Sequence, residues 1–397
     1  MKIVILNVKY SPNLGDGAIA ECLEMQITSS VKDAQVSSID IGGMEDYGVG
    51  GSIVSKRLSL TRVLDIFPEK FSSMVKTYLM PILVSYRYRK IWQEKLRGCD
   101  AIVIGGGHLF MDVDNYFPSR LMTAVKAAPA GVKIYVHAVG VSKRWTQRGR
   151  KFFERAFAHG RLSGVSVRDA QSLENWQTVF PSIPVEICRD PAILADELYT
   201  EHNKVVKANG KPLIGLGIAD MENMKQHADQ DIKIICGNFA SYIEIMQKLR
   251  MANYDIVLFT NGGDDLYLTK LVNFIKLNHH DLYSVLTVAP KPCKPVELVN
   301  LIRSFDAVIA HRLHANILAY SFSVPSIGLG WDRKLESFMF AAGRADFLVK
   351  SNTDADNILQ MLEFIFSKQQ DFNGSIKQEA KAGADKLATL LLNHGGV

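Results

Sequence analysis

A seven-residue block in the C-terminal third of the sequence combines an arginine with two histidines. It reads AHRLHAN over residues 310–316 and follows an apolar run that is typical of a buried strand. A helix that begins there would place Arg312 and His314 beside free backbone N–H groups, which bind anions. His314 could also transfer a proton near neutral pH. The block therefore predicts an anion site with acid–base chemistry. The alternatives are structural roles for the histidines, or a metal bound by His311 and His314.

A second candidate lies directly after the first apolar run, where residues 11–19 read SPNLGDGAI. Gly15 and Gly17 would allow a tight turn into a helix, whose N-terminus again offers N–H groups to an anion. We expect Asn13 and Gly15 to help bind a substrate. Asp16 is expected either to cap the helix or to act as a carboxylate that orients or deprotonates a substrate hydroxyl.

Three glycines and a histidine, Gly105–His108, follow another apolar run. Phe110 stands where the dinucleotide-binding pattern G-x-G-x-x-G requires its third glycine, so this pattern is incomplete. We expect Gly106 and Gly107 to allow a ligand to approach the backbone closely, with His108 as a further substrate contact. The alternative is a tight turn from a strand into a helix.

Two more cations follow predicted strands. Arg168, in the sequence SVRD, could hold a carboxylate or phosphate through two parallel hydrogen bonds, or could instead form an ion pair with Asp169 or another neighbour. Lys334 follows the glycines of IGLGWDRK and would add positive charge. The sequence has no P-loop, serine-hydrolase elbow, zincin helix or kinase loop, and no carboxylate or cysteine accompanies the histidines. We therefore expect no metal and no cofactor.

Short apolar runs alternate with helix-period segments, which is typical of an α/β fold with parallel sheets. Polar residues 195–211 separate two halves, so we predict domains over residues 1–200 and 201–397, the second ending in two helices within 354–392. The predicted strands are Lys2–Leu6, Ala101–Ile104, Lys133–Val136, Gly164–Val167, Glu186–Cys188, Leu213–Ile218, Asp255–Phe259, Ser284–Thr287, Ala307–Ala310 and Ser326–Gly328.

The composition limits the class of protein. The 397 residues are 47% hydrophobic and 22% charged, with a net charge of +5, which indicates a globular chain without the dense basic stripe of a nucleic-acid binder. Five scattered cysteines favour reduced thiols in a cytoplasmic protein. No apolar stretch approaches the ~20 residues of a membrane span. The segment 59–98 is basic, and it is either a solvated helix face or a contact with an anionic membrane surface.

Taken together, these motifs resemble the polysaccharide pyruvyl transferase family. The resemblance runs from about residue 7 to residue 340 and is carried by NLGDGAI, IGGGHLFMD, SVRDAQS, RDPA and, above all, HRLHANILAYSFSVPSIGLGWDRKLESF. It implies two Rossmann-like domains that face a cleft, as in GT-B glycosyltransferases. The N-terminal domain would serve the acceptor and the C-terminal domain the donor.

The resemblance also implies a reaction. Phosphoenolpyruvate would give its pyruvyl group to two hydroxyls of a sugar in an exopolysaccharide or other cell-surface glycan, forming a ketal and releasing phosphate. Arg312 and His314 fall on the family's Arg-Leu-His block, Arg168 on its Ser-Val-Arg-Asp arginine and Asp16 on its early Gly-Asp motif. We expect His314 to act as the acid or the partner of the leaving phosphate, and Asp16 as a base.

The sequence also allows two other functions. A GT-B glycosyltransferase that uses a nucleotide sugar would share the two domains and the anion site. A binding module for sugar or phosphate would keep the site without turnover. The acceptor is expected to be a free glycan or a lipid-linked oligosaccharide, met in the cytoplasm or at the inner face of the membrane.

Overall fold

The computed structural model describes residues 1–47, 69–112, 116–157, 160–201, 210–222, 224, 234–350, 355–367 and 374–393. Residues 202–209 of the polar stretch at 195–211, the first ten residues of the basic segment 59–98 and Asp354 lie outside these ranges. The chain forms two compact units. The first comprises Met1–Ser11, Ile19–Pro191 and Glu379–Val397, and the second comprises Pro12–Ala18 and Ala192–Gln378.

The first unit is built on a six-stranded sheet in which every paired strand is parallel, in the order β2-β1-β3-β4-β5-β6. Its strands are β1 Lys2–Asn7, β2 Gln35–Asp40, β3 Ala101–Phe110, β4 Lys133–Val141, β5 Leu162–Val167 and β6 Glu186–Ile187. The helices along this stretch are α1 Leu14–Ser30, α2 Glu69–Lys95, α3 Tyr116–Ala127, α4 Gln147–Ala156 and α5 Ala170–Val179.

The second unit repeats this plan with a parallel sheet in the order β12-β11-β10-β7-β8-β9. Its strands are β7 Leu213–Gly217, β8 Asp255–Phe259, β9 Thr287–Val288, β10 Ala307–Ala310, β11 Ser326–Leu329 and β12 Leu348–Val349. The helices from residue 195 onward are α6 Ala195–Leu198, α7 Phe239–Met251, α8 Asp265–Asn278, α9 His280–Tyr283, α10 Pro295–Arg303, α11 Leu313–Ser321, α12 Arg333–Ala341, α13 Ala355–Ser367 and α14 Ser375–Leu392.

Each sheet reverses its strand order at one point. In the first unit the chain passes outward from β1 to β2 and then returns to the other side of β1 as β3, and in the second unit β7 and β10 flank the corresponding point. In open α/β sheets the loops at the carboxyl ends of the two central strands diverge at such a point, and ligands bind in the crevice between those loops. The topology therefore predicts that ligand-binding residues follow β1, β3, β7 and β10.

The structure confirms the predicted α/β class with parallel sheets, and corrects several elements. Residues 284–286 form no strand, because the chain is still leaving the short helix α9 and only β9 pairs with β8. Gly105–His108 lies neither in a loop nor in a turn to a helix. Instead β3 continues through it to Phe110, because the carboxyl half of β3 pairs with the carboxyl half of β4, as far as Val141.

The last helix corrects the expected domain division. Both C-terminal helices were assigned to the C-terminal domain, but α14 packs on the first unit from Glu379 onward. Three of its side chains, Leu387, Ala388 and Leu391, are buried in one apolar cluster with Ile3 and Ile5 of β1. Burial of this apolar stripe against the first sheet explains why the helix crosses back.

Candidate functional site

The arginine–histidine block lies where the topology of the second unit predicts a ligand. Strand β10 ends at Ala310, Arg312 occupies the N-cap position of α11, and His314 is the second residue of that helix. The backbone of Arg312 is extended, with φ −69° and ψ 123°, so its side chain leaves the chain just before the helix begins. The predicted strand-to-helix placement of both residues is therefore present.

Arg312 is held by the carboxylate of Asp264, a residue that the sequence motifs do not include. The Arg312 Nε donates to Asp264 Oδ2 at 2.8 Å, and its Nη2 donates to Asp264 Oδ1 at 2.5 Å. The Asp264 side chain is 1% exposed and also accepts a hydrogen bond from the backbone of Asp220. The guanidinium has five N–H donors, so this fork leaves three for a ligand. Because the arginine side chain is still 22% exposed, solvent and small molecules can reach it.

His314 lies beside the early glycine loop, because residues 12–18 belong to the second unit. The backbone of Leu14 donates to the Asn261 carbonyl at 2.8 Å and fixes the loop on this unit. The Asp16 Oδ1 then lies 3.9 Å from His314 Nδ1. The structure thus brings together an imidazole and a carboxylate from motifs that are about 300 residues apart in the sequence.

Gly15 makes this approach possible. A Cβ atom added at Gly15 would lie 2.6 Å from both Cγ and Nδ1 of His314, which is far inside van der Waals contact. The glycine is therefore required by the close passage of the imidazole, since its backbone has no left-handed φ. Its expected role in substrate binding remains a prediction, and the structure adds a role in placing His314.

Asp16 does not cap its helix. The helix α1 begins at Leu14, so Asp16 is its third residue and Asn13 holds the position before it. The Asp16 backbone donates to the Asn13 carbonyl at 3.0 Å, and Asn13 Nδ2 lies 3.4 Å from Asp16 Oδ2. Asn13 therefore holds the Asp16 carboxylate on the side of His314. Its expected contact with a substrate is untested.

Lys334 lies at the start of the helix that follows the neighbouring strand, β11. Its Nζ is 3.9 Å from Asp332 Oδ2, and Asp332 caps α12 by accepting from the Leu335 backbone at 2.9 Å. Trp331 precedes them and donates to the His311 carbonyl at 2.7 Å. The guanidinium of Arg312 lies 5.9 Å from the centre of the same indole. Residues of the WDRK motif therefore brace Arg312 and place Lys334 at the same edge of the sheet.

The charges of this site are nearly balanced. Arg312 faces Asp264, Lys334 faces Asp332, and His314 faces Asp16. The sequence suggested a concentration of positive charge, whereas the structure pairs each cation with a carboxylate. Attraction of an anion must then come from directed N–H donors and from helix N-termini, of which α1, α8, α11 and α12 begin at this edge.

His311 is a structural residue, as one of the sequence-based alternatives held. It is fully buried, and its Nε2 lies 2.5 Å from the Ile235 carbonyl, so that nitrogen donates. Its Nδ1 accepts from the Tyr242 hydroxyl at 3.1 Å, and that hydroxyl accepts from the Ala219 backbone. Both ring nitrogens are thus occupied. No group of three metal-ligating side chains occurs within the described ranges, which gives the alternative of a histidine metal site no support.

Burial of His311 predicts a pH-dependent stability. Burial lowers the pKa of His311 to about 4, against about 6.5 in the unfolded chain. Between these values the unfolded state binds the proton and the folded state does not, so stability is lost as pH falls from about 6.5 to about 4. We expect His311→Gln to remove about 2 kcal/mol of the difference in unfolding free energy between pH 7 and pH 5. Urea unfolding at both pH values measures it, and an unchanged difference would contradict a neutral His311.

The predicted residues of the first unit form a second cluster, at the carboxyl ends of β3 to β5. A Cβ atom at Gly140 would collide with the ring of His108 and lie 3.0 Å from Arg168 Nη2, so both side chains converge on this glycine. His108 also makes a 2.8 Å hydrogen bond with Ser142. Gly106 lies against α1, since its added Cβ would be 3.4 Å from the Cα of Ala20.

Arg168 is a buried ion-pair partner, which was one of its two expected roles. Its Nη1 lies 3.3 Å from Asp190 Oδ2 and its Nε lies 3.4 Å from Asp169 Oδ2, with 4% of the side chain exposed. Asp169 in turn caps α5 through the Ser172 backbone. Two carboxylates more than offset one guanidinium. The expected contact of Arg168 with the donor therefore remains a prediction.

The structure thus groups Asn13, Gly15, Asp16, Arg312, His314 and Lys334 in the second unit, and Gly106, Gly107, His108 and Arg168 in the first. Asp264 is the main residue that sequence reasoning missed. Its signal was available, because two glycines and two aspartates follow the apolar run of β8 at the carboxyl edge of the sheet.

The fold is that of a two-domain α/β protein of the GT-B type. The UDP-N-acetylglucosamine 2-epimerase from Rickettsia bellii aligns over 99% of this chain and 96% of its own, at 11% identity and a TM-score of 0.56. The epimerase from Methanocaldococcus jannaschii, in complex with UDP-GlcNAc and UDP, aligns over 99% and 100% at 12% identity and a TM-score of 0.57.

The family follows from the sequence itself. The profile of the polysaccharide pyruvyl transferase family matches residues 13–333, which include Arg312, His314 and both glycine motifs. The chain belongs to the polysaccharide pyruvyl transferase family. A comparison with curated proteins finds no match to the sequence.

Proposed function

We propose that this protein transfers the pyruvyl group of phosphoenolpyruvate onto a sugar of an exopolysaccharide or other cell-surface glycan. One observation carries the proposal. Arg312, fixed by Asp264, lies at the point of strand-order reversal in the same unit as the His314–Asp16 pair. Family membership supports transferase chemistry. A small donor with a carboxylate and a phosphate suits three directed guanidinium N–H groups and several helix N-termini.

The proposed reaction balances with two acceptor hydroxyls. Protonation of the phosphoenolpyruvate methylene gives a methyl group and makes C2 electrophilic. The first sugar oxygen bonds to C2, the bond from C2 to the phosphate oxygen breaks, and the second sugar oxygen then closes the ketal. One hydroxyl proton replaces the proton delivered to carbon, and the other leaves with the phosphate.

Three side chains take catalytic roles in this proposal. His314 delivers the proton or protonates the leaving phosphate, since its Nδ1 lies 3.9 Å from the Asp16 carboxylate in the same unit as Arg312. Asp16 accepts a proton from an acceptor hydroxyl. Arg312 holds the anionic donor. We assign Lys334 and Arg168 to the donor as well, and Gly106, Gly107 and His108 to the acceptor.

The test is a donor assay on the full chain. We expect phosphate release from phosphoenolpyruvate that depends on a glycan acceptor, with a pyruvyl adduct detected by mass spectrometry of candidate lipid-linked oligosaccharides and free glycans. Both Arg312→Ala and His314→Ala should lower the rate about a hundredfold or more, while Lys276→Ala, at an exposed site on α8, should not. Normal phosphate release by His314→Ala would refute its role.

A nucleotide-sugar reaction is the second candidate, because the structure of the Methanocaldococcus jannaschii epimerase with this fold contains UDP-GlcNAc and UDP. It predicts release of a nucleoside diphosphate from a sugar nucleotide and no consumption of phosphoenolpyruvate. The same assay, run with both donors, separates the two functions. Tight binding of phosphoenolpyruvate without turnover on any glycan would instead indicate a binding module. For the transferase, we propose the cytoplasm as the place of reaction.

A further inference from the structure

The helix α2 is buried along one side over residues 81–95, where the structure describes its side chains. Along residues 82–97 the buried side chains recur every four positions, at Val84, Tyr88 and Trp92, followed by Leu96 just beyond the helix. Tyr88 and Trp92 stack with ring centres 4.8 Å apart. This spacing is that of a single helical stripe, so the rotation of the helix about its axis is fixed.

The outer face of the same stretch exposes large apolar side chains. Tyr86 is 90% exposed, more than any other large apolar side chain in the described ranges, and Ile82 is 65% exposed. Leu83 and Ile91, at 41% and 43%, flank them. Single exposed apolar residues are ordinary, but four within ten residues of one helix are a surface feature that calls for an occupant. We call residues 82–97 on this side the outer face of α2.

The outer face also concentrates positive charge. Five cations stand in it against one acidic residue, Glu94: Arg87, Arg89, Lys90, Lys95 and Arg97. Lys95 forms an ion pair with Glu45 at 3.2 Å, and Arg87, Arg89 and Lys90 are exposed. The whole chain has a net charge of only +5, so this short stretch accounts for most of the imbalance.

We propose that the outer face of α2 docks the protein on an anionic membrane surface, with the helix parallel to the bilayer plane. A helix with an aromatic and aliphatic residues among arginines and lysines is suited to the interface between acyl chains and headgroups. Ile82 and Tyr86 would enter the acyl boundary, and Arg87, Arg89 and Lys90 would contact lipid phosphates. No helix in the described part of the chain could cross a bilayer, so this contact is peripheral.

Charge argues against the other occupants. A two-fold contact between copies would bring the same cluster of cations from each chain together, and like charges repel. A nucleic acid would be attracted by the cations, but its phosphates would leave the apolar side chains of Ile82 and Leu83 exposed to water. An anionic bilayer satisfies both the apolar and the basic residues. The inference rests on this helix alone and stands apart from the proposed reaction.

Cosedimentation of the full chain with vesicles tests the proposal. We expect binding to vesicles of mixed phosphatidylglycerol and phosphatidylcholine, little binding to phosphatidylcholine alone, and weakening by salt. Arg87→Glu, Arg89→Glu and Lys90→Glu should each lower partitioning about fivefold or more, and Tyr86→Asp should also lower it. Matched controls on α8, Leu277→Asp at a 74% exposed apolar site and Lys270→Glu at an exposed lysine, should bind as the unchanged protein does.

Several results would overturn the proposal. Equal binding to neutral vesicles would remove the role of charge, and equal loss in the α8 controls would show that the surface is not specific. Dimerisation without lipid that Tyr86→Asp abolishes would assign the face to a second copy. Thermal melting of each variant separates unfolding from loss of binding. Phosphate release is not needed as a readout, so the result is independent of the proposed reaction.

Discussion

Asp264→Asn is expected to remove most of the activity by releasing Arg312. The asparagine keeps the shape of the side chain, but its amide N–H group would face a guanidinium that can only donate. The carboxylate is 1% exposed and the guanidinium 22% exposed, so the change leaves a partly buried cation without its counter-charge. We expect a loss of about 3 kcal/mol in unfolding free energy, at the lower end of values for broken buried pairs because the arginine keeps some solvent. We also expect about a hundredfold loss in phosphate release.

A double-mutant cycle distinguishes positioning from general damage. If Asp264 acts through Arg312, the double variant Asp264→Asn with Arg312→Ala should be no slower than Arg312→Ala alone. Additive losses would show that Asp264 acts by another route. Asp306→Asn is the matched control, since Asp306 accepts a backbone N–H from Leu213 in the same unit. It should lower stability without a selective loss of activity.

Gly15→Ala should lower activity strongly although alanine is the better helix former. Helix propensity alone predicts a gain of about 1 kcal/mol in the first turn of α1. The added methyl group would lie 2.6 Å from the His314 ring, so either the imidazole or the glycine loop must move. A displacement of about 1 Å in an acid–base group costs about a hundredfold in rate. Steady-state phosphate release and a pH–rate profile measure the loss and any change in the titration of the His314–Asp16 pair.

Gly263→Ala provides the control for this substitution. Gly263 lies beside the same loop, but its added Cβ would meet only Asn13 and Pro12 atoms at 3.9–4.0 Å, which is ordinary contact. We expect this variant to retain its rate. Normal activity in Gly15→Ala would contradict the placement of His314 described above, and equal losses in both variants would indicate damage to the loop rather than to the imidazole.

The fold was largely accessible from the sequence because most strands are continuous apolar runs. The predicted Asp255–Phe259 and Ala307–Ala310 agree with β8 and β10 residue for residue. The sequence did not predict strand β2, because its residues, QVSSID, include few apolar side chains on an outer strand of the sheet. It did not predict β12, because that strand is only two residues long. The extension of β3 to Phe110 was hidden by its glycines, which are weak strand formers and here adopt positive φ at Gly106 and Gly107.

The site was accessible in its residue types but not in its pairings. The motifs identified Arg312, His314 and Asp16, because these residues follow predicted strands at the sheet edge where α/β proteins bind ligands. They could not show that Asp16 approaches His314, because that contact depends on residues 12–18 packing with the second unit. Nor could they identify Asp264 and Asp190 as counter-charges, since ion pairs across a sheet leave no spacing in the sequence.

Because α14 packs on the first unit, the core of that unit is completed by residues that are synthesised last. Leu387, Ala388 and Leu391 complete the apolar cluster beneath β1, yet the ribosome makes them only after the whole second unit. At a synthesis rate of about 5–20 residues per second, the first sheet waits for about ten seconds or more before these three side chains exist. The N-terminal half therefore completes this cluster only after the second unit has been synthesised.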